Sequence, residues 1–145
     1  MADATFGDPV EQAARLVAGG CRAPPPRCKG WTDAQRLAAA RATRAHTASA
    51  GVLLIINDDV ACAVAVRADG VHLGQSDGTM RAARAALAPG ALVGRSTHDE
   101  DELDRARAEG ADYIGFGPIF PTRTKETGFS SQGCARLSAA TRSFP

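Results

Sequence analysis

The sequence predicts an α/β fold built on a parallel sheet, and three observations carry that prediction. From residue 51 onward, short apolar runs of strand length alternate with helical segments in the order βαβαβαβ. The connections between them are short, as right-handed crossovers between parallel strands allow. The stretch "ADGVHLG" at 68–74 also returns as "ADYIGFG" at 111–117, two units further on. A repeated helix end running into a strand, with polar residues behind each strand, is what the near-equivalent units of a (β/α) barrel give. A doubly wound sheet gives much the same alternation, so the residues by themselves leave both architectures open.

The elements follow in chain order. Residues 9–19, "PVEQAARLVAG", predict a helix with Pro9 in its first turn and Gly19 and Gly20 ending it. No first-strand sequence precedes it. In "CRAPPPRCKG", three consecutive prolines cannot donate ladder hydrogen bonds, which excludes a central strand there. "TDAQRLAAARATRAHTASAG" predicts a long helix, opened by a capping box from Thr32 to Gln35 and closed by Gly51. "VLLIIND" predicts a strand, "DVACAVAVRA" a short helix, "DGVHLG" a strand, "GTMRAARAALAPG" a helix with a Pro-Gly stop and "ALVGRS" a strand. Thr97 and Glu100 predict a second capping box. Its helix carries Asp99 to Glu102 in the first turn and Arg105 and Arg107 near the last, matching the macrodipole at both ends. "YIGFG" through Phe120 predicts a strand buried on both faces.

With 145 residues, 44% hydrophobic and 23% charged, the chain is one globular domain's worth of material. A formal charge of +1 supplies no overall field for nucleic acid or an anionic membrane, and 5% aromatic content leaves few stacking platforms for bases. Neither kind of partner is expected. Cys21, Cys28, Cys62 and Cys134 show neither C-x-x-C spacing nor a neighbouring histidine cluster, which argues against zinc and for reduced thiols. There is no basic leader followed by an apolar segment and no apolar run of about 18 residues, so the expected location is the cytoplasm.

Polar residues cluster behind the strands: Asn57 and Asp58, then Gln75, Ser76 and Asp77, then Arg95, Ser96 and His98, then Thr122, Arg123, Thr124 and Lys125. Two separate carboxylates completed by oxygens of a substrate phosphate suit Mg²⁺, a small hard ion that keeps waters, and a lysine nearby shares a polyanion's charge. Each residue also has an ordinary reading. Asp58 and Asp77 stand before helices as N-caps, Ser96 is a loop hydroxyl, and Asn57 satisfies a turn. His72 reads as a packed core histidine, His98 as a solvated first-turn residue and Arg123 as simply exposed. Convergence on one rim is what favours a site.

Three motifs in order, I-N-D, H-L-G-Q-x-D and G-P-I-F-P-T-x-T-K, together with "VGRSTHDEDELDRARAEGADYIGFG", make the chain resemble the thiamine phosphate synthase and TenI-like family. The match is close over residues 51–133 and weaker back to residue 9. The resemblance implies a (β/α)8 TIM barrel, here partial: the first strand absent, the second disrupted and the last two βα units missing. Residues 1–145 then form a single incomplete domain. Pro25 and Pro26 stand where the family's Q-L-R-x-K has Gln and Leu, and the chain ends at "LSAATRSFP", where a seventh strand would begin.

The resemblance also implies an activity, joining an aminopyrimidine-methyl pyrophosphate to a thiazole phosphate in thiamine biosynthesis, with release of pyrophosphate. Asp58 and Asp77 would hold Mg²⁺; Arg27, Lys29, Asn57, Ser96 and Lys125 would contact the pyrimidine pyrophosphate; Thr122, Arg123 and Thr124 would line the thiazole phosphate position. Two other readings stay open. One is a TenI-like thiazole tautomerase with His98 as acid or base. The other is a non-catalytic remnant or interaction module, inactive alone, which forms an oligomer or takes its missing strands from a complementing chain.

Overall fold

The computed structural model describes residues 2–3, 8–21, 26–27, 31–121 and 130–144, with side chains at 8, 10–21, 31–121 and 130–144. Its first helix, α1 (Pro9–Ala18), begins where Asp8 accepts the Val10 N–H at 2.9 Å, with Pro9 inside the first turn as expected. Ala2–Asp3 forms a short strand, β1, paired in parallel with β2 (Pro26–Arg27). This corrects the expectation that no first strand precedes Pro9. A two-residue strand has no periodicity to read, and Pro26 lacks only the N–H, so its carbonyl can still accept.

The next helix, α2 (Asp33–Ser49), opens on the expected capping box: Thr32 accepts from Gln35 N, and the Gln35 side chain accepts from Thr32 N. From there the chain alternates as β3 (Ile55–Asn57), α3 (Val60–Ala65), β4 (Gly70–Leu73), α4 (Met80–Ala86), β5 (Leu92–Thr97), α5 (Glu100–Ala108), β6 (Tyr113–Phe116) and α6 (Gly133–Ser143). The strands β3, β4, β5 and β6 form a four-stranded sheet in sequence order, parallel throughout. Residues 137–143, expected to approach a seventh strand, are helical.

Three further expectations need correcting. The cap of α5 is Asp99, which accepts from Glu102 N at 2.8 Å; Thr97 instead extends β5 and is fully buried. The carboxylate capping α3 is Asp59, which accepts from Cys62 N, and the cap of α4 is Thr79. Neither Asp58 nor Asp77 is spent as a cap. Finally, β6 stops at Phe116, is only half-buried, and leaves Phe120 68% exposed. Its residues are part-buried or exposed rather than buried, so the covered-on-both-faces reading does not apply.

Period-two alternation divides the sheet into two faces. Leu54, Ile56, Val71, Leu73 and Val93 point to the helices and pack with Ala63, Met80, Ala83 and Leu87 in the core. In register, His72 lies beside Gly94, Gly94 beside Tyr113, and Ser96 beside Gly115. These residues share the opposite face.

The amino ends of the strands are fastened by a device that occurs twice. Asp69, just before β4, accepts the Leu54 N–H at 2.8 Å and the Arg44 guanidinium of α2 at 2.5 Å, both on Oδ2. Asp112, just before β6, accepts the Val93 N–H at 2.7 Å and the Arg84 guanidinium of α4 at 2.9 Å, again on Oδ2. In each case the carboxylate ties the start of one strand to the start of the strand before it and to the helix entering that earlier strand. The repeated "AD" of the sequence is this clamp.

Replacing either Asp69 or Asp112 by Ala orphans a backbone N–H and an arginine, and is expected to lower unfolding free energy by about 2 kcal/mol. Asp104→Ala breaks only an exposed 3.8 Å pair with Arg107 and is expected to change it by less than about 0.5 kcal/mol. Urea denaturation checks both, and equal effects at the three sites would contradict the clamp.

Candidate active site

The carboxyl ends of β3, β4 and β5 carry the polar residues that the sequence placed there. Asn57 ends β3, and Asp58 follows with φ 65, a left-handed conformation that aspartate tolerates better than most residues. Its N–H donates to the His72 carbonyl at 2.8 Å, which carries the β3–β4 pairing one step past the strand. After β4 the chain turns so that Gly74 N donates to Asp77 Oδ2 at 2.7 Å. A Cβ on Gly74 would stand 2.7 Å from that same oxygen, so the glycine of the H-L-G-Q-x-D motif is what lets the carboxylate fold back.

Asn57, Asp58 and Asp77 line one cavity of about 790 Å³, together with Arg36 of α2 and Asp59 of the β3–α3 corner. Among the described residues the lining holds four aspartates and one arginine. Arg36 is engaged by Asp33 and, at 3.6 Å, by Asp59. The cavity is therefore electronegative and its donors are hard oxygens, which suits a divalent cation of the Mg²⁺ kind. Among the described residues no three acidic, histidine or cysteine side chains converge as a metal group, so further ligands would be substrate oxygens and water. Asp58 and Asp77 fit a site of that type.

Ser96 lies inside β5 rather than in a loop, and it is gripped twice. Its hydroxyl is 2.9 Å from His72 Nε2, and its carbonyl accepts from Gln75 Nε2 at 2.6 Å. The other ring nitrogen of His72, Nδ1, is 3.2 Å from the Tyr113 hydroxyl, and the two rings stack with centroids 5.4 Å apart. His72 is thus the satisfied histidine that was expected. Space for these rings comes from two glycines within strands: a Cβ on Gly94 would overlap the Tyr113 ring, and one on Gly115 would press on His72 at 3.3 Å. Arg95 donates to the Gly78 carbonyl at 2.9 Å, fastening the Asp77 turn to β5.

Neither Tyr113 nor Gly94 was expected at the site, whereas Arg95 was expected on the rim without an assigned role. The signal available for the first two was a glycine interrupting each of two apolar runs, "ALVGRS" and "YIGFG", which marks close approach of a neighbour. His98, expected to be solvated, has a side chain only 18% exposed. Its backbone N–H and ring Nδ1 both meet Glu102 Oε2 at 2.8 Å, at the entrance to α5.

At the start of the third motif, the Pro118 and Ile119 carbonyls accept from the Gln132 and Gly133 N–H groups at 2.7 and 3.0 Å. Lys29, Thr122, Arg123, Thr124 and Lys125 lie outside the described residues, and Arg27 is described by its backbone in β2.

Burial, and then the nearby Arg95, lower the pKa of His72 below its ordinary 6.5, with Asp77 opposing. Burial and Asp112 push the Tyr113 phenol up to about 12, so it keeps its proton at neutral pH. Below 6.5 the unfolded chain takes up a proton at His72 that the folded chain resists, so this residue's stabilising contribution falls as pH drops. Unfolding free energies at pH 7.5 and 5.5 are expected to fall less in His72→Gln than in the unmodified chain. An unchanged difference would show that His72 charges freely in the fold.

The family model described as thiamine monophosphate synthase matches residues 2–145. A thiamine-phosphate synthase of Myxococcus xanthus is 42% identical over 136 residues, covering 94% of this chain and 62% of the relative. One from Xanthomonas campestris pv. campestris is 56% identical over 102 residues, covering 70% of this chain and 49% of the relative. Among solved structures, a thiamine phosphate pyrophosphorylase from Pyrococcus furiosus superposes with TM-score 0.84 at 30% identity, covering 94% of this chain and 64% of that one. The chain thus spans roughly half to two thirds of the length of these relatives.

Proposed function

We propose that this chain, which belongs to the thiamine monophosphate synthase family, carries a synthase site for an aminopyrimidine-methyl pyrophosphate and a thiazole phosphate. The observation that supports it most is the cavity in which Asn57, Asp58 and Asp77 meet at the carboxyl ends of a parallel sheet. On this reading the four-stranded sheet is an arc of a (β/α)8 barrel, whose active sites sit at that end of the strands. Pro118 and Ile119, which follow β6 at the same end, accept hydrogen bonds from Gln132 and Gly133.

The reaction breaks the bond between the pyrimidine methylene carbon and a pyrophosphate oxygen. Both bonding electrons leave with pyrophosphate, and the thiazole nitrogen then supplies the pair for the new C–N bond. No proton has to move for the bond change itself. The demand on the protein is electrostatic: to bind a departing polyanion, orient the second substrate and keep water from the cation. Asn57 and Ser96, with Arg27, Lys29 and Lys125, are assigned to the pyrimidine pyrophosphate. Thr122, Arg123 and Thr124 are assigned to the thiazole phosphate. Mg²⁺, held by Asp58 and Asp77, supplies neutralising charge for the leaving group when bound.

Incubating the chain with both phosphorylated substrates and Mg²⁺ is expected to yield thiamine phosphate, measured as its fluorescent oxidation product. Asp77→Asn is expected to lower the rate by at least about 100-fold, and chelation of the metal to abolish it. His98→Asn is expected to keep more than half of the activity. Absence of product, or of magnesium pyrophosphate binding, would sink the synthase reading. Thiazole isomerisation that depends on His98 would replace it with a tautomerase.

A further inference from the structure

The hydrogen-bonded row behind Ser96 has a direction. A neutral imidazole offers one N–H donor and one acceptor nitrogen, so the row Tyr113–His72–Ser96 can be polarised in only two ways. In one, the phenol donates to Nδ1 and Nε2–H donates to Ser96. In the other, Ser96 donates to Nε2 and Nδ1–H donates to the phenol oxygen, which leaves the phenol proton needing another acceptor. Among the described residues the Tyr113 hydroxyl meets no acceptor but His72. Either polarity leaves one hydroxyl proton outside the row, so donor strength decides: a phenol is a stronger donor and a weaker acceptor than an aliphatic hydroxyl, which favours the first.

We propose that Tyr113 and His72 are positioning residues that aim the Ser96 hydroxyl: Tyr113 donates to His72 Nδ1, His72 Nε2–H donates to Ser96 Oγ, and the Ser96 proton is left to donate to a phosphate oxygen. Phosphate oxygens only accept, so a serine whose proton was spent on His72 would turn lone pairs toward the anion. With His72 as donor, the hydroxyl becomes a directed donor before the ligand arrives, which spares the cost of reorienting it. The serine is also fixed from behind, because Gln75 holds its carbonyl. The rings themselves are seated by Gly94 and Gly115. The other groups facing His72 are Arg95, Asp77 and the backbone N–H of Asp58. The role of the proton rests on the reading of Ser96 as a pyrophosphate contact, but the polarity of the row does not.

The test therefore has two parts. The chain has three histidines and one tyrosine, so the ring nitrogens of His72 are readily assigned by ¹⁵N NMR. At pH 7.5 without ligand, His72 is expected as the Nε2–H tautomer, and Tyr113→Phe is expected to mix the two tautomers. Observation of the Nδ1–H tautomer in the unmodified chain overturns the proposal and leaves the synthase reading standing.

In calorimetric titration with magnesium pyrophosphate, Ser96→Ala is expected to weaken binding roughly tenfold and Tyr113→Phe at least about threefold. The double variant is expected to bind no more weakly than Ser96→Ala alone, because Tyr113 acts only through that hydroxyl. His72→Gln places an amide N–H where Nε2–H stood and is expected to stay within about twofold, whereas His72→Ala is expected to match Ser96→Ala. Additive losses in the double variant would overturn the aiming role. Failure of the unmodified chain to bind magnesium pyrophosphate overturns the synthase reading, while the tautomer still decides the polarity.

Discussion

Carboxylates that accept a backbone N–H from the neighbouring strand and a guanidinium from a helix hold the parallel sheet in register, at Asp69 and again at Asp112. Parallel strands have no tight hairpin to set their alignment, and a slip of one residue exchanges the two faces of a strand. A slip in β5 would carry Ser96 and Gly94 to the helix side and press Val93 into the space that Gly94 leaves for Tyr113. Each clamp also fixes how the preceding helix lies on the sheet, because its arginine comes from that helix. The clamps sit at the amino ends of the strands and the polar cluster at the carboxyl ends, so stability and chemistry draw on different residues of the same elements.

From that register the site follows with little further specification. Asp58, Asp77 and Ser96 come from three successive βα units, and each is placed by a hydrogen bond within its own turn or to an adjacent unit. The Asp58 N–H is held by β4, the Asp77 carboxylate by Gly74 of its own turn, and Ser96 by His72 and Gln75. Arg95 ties the Asp77 turn to the strand that carries Ser96. A displacement in one unit is therefore felt in the next. This shared bracing explains why G and Q of the H-L-G-Q-x-D motif matter beside its aspartate, although neither residue is assigned a ligand.

What could be read from the sequence was set by how local the signal is. Pro9 in the first turn of α1, Thr32 with Gln35, and the charge gradient along α5 are each complete within one helix, and all three stand in the structure. The strands β3 to β6 were legible as apolar runs between turn residues. Two-residue β1 was not, because pairing with β2 is a long-range fact with no local pattern. Among consecutive aspartates the sequence cannot say which one caps a helix: Asp59 takes α3, which releases Asp58 to the cavity. The echo "AD" was visible, but its meaning lay in Arg44 and Arg84, each far from its partner along the chain. Tyr113 was hidden in the same way, since its ring is explained only by a glycine in the adjacent strand.

The charge of the described cavity bears on how a polyanion could enter it. Carboxylates in its lining repel pyrophosphate, and near a protein surface each such contact costs on the order of a few kcal/mol at short range. On the proposed reading a bound cation, beside Arg27, Lys29 and Lys125, offsets that repulsion, so metal and pyrophosphate bind as linked ligands, each raising the affinity for the other by the same factor. Neutral donors such as Asn57 and the directed Ser96 hydroxyl then do what an extra cation would do less selectively. They favour phosphate oxygens at fixed positions without cancelling the field that draws the metal in. A site that pairs carboxylates with oriented neutral donors thereby keeps its affinity for the leaving group conditional on the metal.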